Sequence, residues 1–129
     1  MLLAFDTSDR VLSVAIATHQ RTASLDSPDG APAGEWLLGG IHQLLASESL
    51  AIEDITSIAI ALGPGSYTGI RAGISAAQGL AFQSRIELFG VSVLRARALH
   101  GVTGSASLLA YIRASQRDYF AERLEEVRT

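Results

Sequence analysis

Two polar clusters in this 129-residue chain carry residue types that could do chemistry. Asp6, Thr7 and Ser8 follow the apolar run LLAF. A glycine-rich stretch, GPGSYTGIRAG, spans residues 63–73 between an apolar run and a helical pattern. A carboxylate at a strand end can serve a metal or move a proton, and a glycine loop that opens a helix can present backbone N–H groups to a phosphate. Spacing tests the second idea. Glycines at 63, 65 and 69 give G-x-G-x-x-x-G, whereas a dinucleotide fingerprint puts its third glycine where Thr68 stands. A Walker loop needs a lysine, and the chain contains none. What remains is an anion at a helix N-terminus, with Asp6, Thr7, Ser66 and Arg71 as the candidate anion-binding group.

The other reactive side chains are dispersed. A nuclease would need two or three further carboxylates converging on Asp6. Glu48, Glu53 and Asp54 are grouped around a helix end, where a solvated edge explains them. His19, His42 and His100 each lack a second ligand one helical turn away, so no metal site is expected. Ser66 sits in G-P-G-S-Y and not in the G-x-S-x-G of a hydrolase nucleophile. Zero cysteines exclude disulfides and thiolate ligands. No catalytic residue and no cofactor is expected.

The elements that must position these residues can be read from periodicity. LLAFDT, VLSVAIAT and QRTASLD form three successive strands joined by short turns, with the third at an edge. SPDGAPAG is a loop. From Glu35 to Ser47, Leu37, Leu38, Ile41, Leu44 and Leu45 follow helical spacing. ITSIAIAL (55–62) is a buried strand, Thr68 to Phe82 a second helix capped by Ser66 or Thr68, and IELFGV a fifth strand. Ser92 caps a helix running towards His100, and GVTGSAS (101–107) is a linker. Pro64 and Gly65 suit a tight turn in which glycine supplies positive φ. The order βββαβαβα plus a C-terminal stub suits an α/β fold of the ribonuclease-H-like or actin-like ATPase (ASKHA) kind, its N-terminal subdomain built on a mixed five-stranded sheet.

Inside the second helix, Gly69, Gly73, Ala76, Ala77 and Gly79 leave one side nearly bare. Glycine in a helix interior costs about 1 kcal/mol relative to alanine, so this side needs a surface to pack on. That surface is either the chain's own sheet or a second subunit. Gly39 and Gly40 pose the same question on the first helix. The candidate partner face comprises Trp36, Leu37, Gly40, Ile41, Leu44, Gly69, Ile70, Gly73, Ala76 and Ala77.

Composition supports a globular domain: 48% hydrophobic residues and a mean hydropathy of +0.28. No apolar run is long enough to span a membrane. The start, MLLAFDTSDR, lacks the basic and small-residue signals of an export peptide, so the cytoplasm is the expected compartment. Residues 1–64 carry two arginines against eight acidic residues, and residues 65–129 carry eight against five. No basic run or arginine–aromatic stripe marks a nucleic-acid face.

LLAFDTSDRVLSVAIA, ALGPGSYTGIRAGISAAQGLAF and LFGVSVLRARA together resemble the TsaB (YeaZ) family, over residues 1–98 almost continuously. This family supplies the bacterial accessory subunit for threonylcarbamoyladenosine formation in tRNA. The resemblance implies an actin-like ATPase fold of two subdomains and a glycoprotease-like (M22-type), non-catalytic paralogue of TsaD, the subunit that transfers the threonylcarbamoyl group. It implies a TsaD-like partner or a homodimer, joined through helices matching Glu35–Ser47 and Thr68–Phe82. A TsaE-like ATPase is a further implied partner, and tRNA would be reached only through the complex. TsaD-like enzymes hold a metal with two histidines four apart in the first helix; here only His42 is present.

Two departures follow. The family is longer, so residues 1–107 are expected to be the N-terminal subdomain and 108–129 a truncated remnant of the second. The family's Asp-Ala-Arg motif is replaced by Arg113-Ala114-Ser115. The family makes 108–124 a hairpin, whereas Phe120, Leu124 and Val127 are spaced as in a helix, and a lone hairpin is marginal; a helix is the expectation. Two other readings compete with the partner subunit: a nucleotide phosphohydrolase or M22-type peptidase-like enzyme, and a stand-alone self-associating domain.

Overall fold

Alternation in three short strands builds the core. A computed structural model describes residues 1–82, 85–100, 105–114 and 116–128. In β1 (Leu2–Asp6), β2 (Ser13–Ala17) and β4 (Ser57–Ala61), every second side chain is buried. Leu3, Phe5, Val14, Ile16, Ile58 and Ile60 form that buried set. β3 (Thr22–Asp26) and β5 (Glu87–Val91) flank them, and the sheet order is β3-β2-β1-β4-β5. β1 pairs antiparallel with β2 and parallel with β4, so the five-stranded sheet is mixed. The third strand lies at an edge, as its polar sequence implied.

Two helices cover the buried face. α1 (Ala33–Ser47) turns Leu37, Ile41, Leu44 and Leu45 onto the sheet, and α2 (Tyr67–Phe82) turns Gly69, Gly73 and Ala77 the same way. Each large side chain buried here contributes about 1.5–3 kcal/mol relative to exposure. Between α1 and β4 the chain makes one short 3-10 turn, Ile52–Asp54, that sequence spacing did not signal. The third helix, α3 (Val93–His100), lies on the opposite face. There Ser92, Val93 and Ala96 border an open groove of about 190 Å³ floored by Ala4, Ala15 and Ala59. Ser92 caps α3 as expected, its Oγ accepting from the Arg95 N–H at 3.4 Å.

The C-terminal segment differs from the expected helix. β6 (Ser105–Arg113) and β7 (Tyr119–Arg128) form an antiparallel hairpin. Phe120 and Leu124 stand four apart, a spacing that puts two residues on one face at either period. Here they lie opposite Ile112 and Leu108, and all four share the hairpin face that the chain half-buries or leaves least exposed. α3 supplies the cover that a lone hairpin lacks. The Arg95 Nε donates to Glu122 Oε1 at 2.9 Å, and the Ser92 Oγ lies 3.4 Å from Glu122 Oε2. Of the expected linker, residues 105–107 belong to β6 and residues 101–104 lie outside the described residues.

Candidate partner face and cleft

The loop before α2 is shaped by close approach. Gly63 has φ +92°, and a Cβ there would meet the Ile70 Cδ1 at 2.7 Å. Positive φ therefore falls on Gly63 and not on Gly65. Gly65 is needed for another reason: a Cβ there would fall 2.6 Å from the Ser8 Cβ. The Ser66 N–H donates to the Ser8 carbonyl at 2.7 Å, tying the loop to the β1–β2 turn. The Ser66 Oγ accepts from the Gly69 N–H at 3.2 Å, which makes Ser66, and not Thr68, the cap of α2.

The four candidate anion-binding residues are placed apart. Thr7 is buried beneath α2 and its Oγ1 donates to the Gly69 carbonyl at 2.7 Å. Asp6 turns to the open face with Ser13, and its Oδ1 accepts from the Ser8 N–H at 2.8 Å. Arg71 is exposed, with its guanidinium 5.4 Å from the Tyr67 ring centroid. Only Ser66 reaches the cleft between the sheet and the hairpin.

That cleft, of about 240 Å³, is bordered by Ser8, Asp9, Ser66, Arg97, Arg113 and Phe120. Sequence reasoning passed over Asp9, Arg97 and Arg113 because the contact joins turn, helix and hairpin across the whole chain. The Arg97 Nη2 donates to Asp9 Oδ2 at 2.5 Å. The Arg10 backbone N–H donates to Asp9 Oδ1 at 2.7 Å. This backbone bond first, and then Arg97, holds the Asp9 carboxyl below its usual 3.8. A neighbouring pair acts alike: the Arg10 guanidinium grips both oxygens of Asp29 at 3.0 and 2.9 Å and lowers its pKa. Among the described residues no group of three His, Cys, Asp or Glu could hold a metal.

The expected partner face is divided by burial. Gly69, Gly73 and Ala77 pack inside the chain, and for the two glycines the surface that their bareness serves is Thr7, just after β1, with Phe5 of β1 beside it. A Cβ on Gly73 would lie 2.5 Å from the Thr7 Oγ1, and one on Gly69 would overlap the Thr7 carbonyl. Leu37, Gly40, Ile41 and Leu44 are likewise buried. A Cβ on Gly40 would fall 2.8 Å from the Trp36 Cη2, so this glycine seats the indole. These seven residues support the helices from within. Trp36, Ile70 and Ala76 remain half-buried.

The outward surface is different in make-up. Leu38 is 56% exposed and Phe82 89%. Leu38, His42, Leu45, Leu50 and Leu80 line a shallow groove of about 440 Å³. Gly39 and Gly79 face open space, and a methyl group on either would find nothing within 4 Å. They carry the helix cost of glycine without an internal contact that would explain it.

The family model "TsaD: tRNA N6-adenosine threonylcarbamoyltransferase" matches residues 34–126. The chain belongs to this family. Within it the similarity runs to TsaB (YeaZ) proteins. The tRNA threonylcarbamoyladenosine biosynthesis protein TsaB of Escherichia coli is 32% identical, over 94% of this chain and 54% of that protein. Its namesake in Haemophilus influenzae is 34% identical, over 75% of this chain and 41% of that protein. The solved YeaZ from Pseudomonas aeruginosa superposes with a TM-score of 0.87 at 30% identity, over 96% of this chain and 59% of that one. The chain thus spans about half the length of the TsaB relatives it matches, and the TsaD-type, actin-like fold expected from element order is the one observed.

Proposed function

We propose that the chain is a non-catalytic partner subunit that supports a TsaD-like enzyme in threonylcarbamoyl transfer to the adenosine beside the anticodon of tRNA. The match to the family and to relatives named for threonylcarbamoyladenosine biosynthesis carries this reading. The partner meets the outer surface of α1 and α2, where Leu38, Leu80 and Phe82 are the apolar anchors and Gly39 and Gly79 allow close approach. The chain works in the cytoplasm and touches tRNA only through the complex, in which a TsaE-like ATPase also takes part. The hairpin β6–β7 is the opening element of the second subdomain. A second copy of the chain would use the same surface in a homodimer.

Catalysis needs at least two groups within hydrogen-bond reach of each other and of the reacting atoms. Ser66 is committed to its cap and Asp6 to the Ser8 N–H, so neither has an activating partner. This weighs against the phosphohydrolase and peptidase readings.

The test is complementation in cells depleted of their own TsaB, reading threonylcarbamoyladenosine by mass spectrometry of digested tRNA. Leu38→Glu combined with Phe82→Glu should abolish the modification and the capture of TsaD, while the far-UV spectrum and melting temperature stay near wild type. Asp6→Ala and Ser66→Ala, where folded, should leave the modification nearly unchanged. Activity lost only in the last two variants would overturn the proposal.

A further inference from the structure

No further inference is drawn: the strongest candidate, the alanine-floored groove on the open face of the five-stranded sheet beside α3, is an unpartnered apolar face, and nothing in the structure shows what covers it.

Discussion

Gly73 and Gly79 stand six residues apart on one helix, and their substitutions should have opposite signs. A Cβ at Gly73 would press on the Thr7 Oγ1, which is buried and held by its bond to the Gly69 carbonyl. Overpacking a fixed site costs about 1–3 kcal/mol for small insertions, and a leucine is larger. Gly73→Leu should therefore unfold the domain. Gly79→Ala should instead raise stability by about 0.5–1 kcal/mol, since alanine removes the helix cost of glycine and meets nothing. Urea melts of the two variants decide; a destabilised Gly79→Ala would reveal a contact that the free chain does not show.

Asp9 gives a prediction in pH. Its carboxyl is held below 3.8 by the Arg10 N–H and by Arg97. A depressed carboxylate contributes stability that is fully present above its unfolded-state pKa and disappears as pH falls through the lower folded-state value. The window is thus acidic, and melts from about pH 5 to 8 should not register it. Both partners are about half exposed, so the contribution is at most about 1 kcal/mol. Wild type and Asp9→Asn should differ by that amount near neutrality and converge in strong acid. An advantage for wild type that survives once the pH is well below the folded-state value would mean that the carboxyl acts by some route other than its charge.

At the scale of elements, the five strands and three helices were legible from apolar runs, helical spacing and the turn and cap residues between them. LLAFD, SVAIA and SIAIA alternate, α1 has its apolar stripe, and Ser66 and Ser92 cap the helices that follow them. The direction in which the glycine stripe faces was not legible. Periodicity shows that Gly69, Gly73 and Ala77 share a side, but only the pairing of β1 with β4 places Thr7 beneath them. The hairpin was missed for a related reason. Its stability depends on α3, and Glu122 finds Ser92 and Arg95 across a long sequence separation. The exposure of Leu38 and Phe82 was not legible either, since both look like core residues in a one-dimensional pattern. Introducing glutamate at either exposed position should change stability by no more than about 0.5 kcal/mol, as surface substitutions do. Denaturant midpoints of Leu38→Glu and Phe82→Glu check this, and a large loss would place these side chains in the core after all.

For the molecule as a whole, the cleft between sheet and hairpin is small for a nucleotide. Its volume of about 240 Å³ is below the ~300–1,000 Å³ of ligand pockets. Arg97, a cation that borders the cleft, is already paired with Asp9. Millimolar Mg-ATP should leave the melting temperature unchanged. A rise of several degrees is the mass-action signature of a ligand far above its dissociation constant, and would require the cleft to open further than it does here.

The hairpin rests on the remainder of the chain chiefly through α3, a helix of eight residues. The central strands are enclosed by partners on both sides and by two long helices. Such unequal support gives a chain two tiers of opening, one that releases a peripheral unit and one that requires the whole core to come apart. Native-state hydrogen exchange should resolve them. Amides of Leu3, Phe5 and Ile58 should exchange only through global unfolding, with those of residues 108–112 and 120–124 exchanging together and earlier. Loss of the Glu122 carboxylate in Glu122→Gln should hasten the second group and leave the first at its original rate. The opening tier would then be a loosely moored flap whose attachment can be tuned without touching the stability of the sheet that carries it.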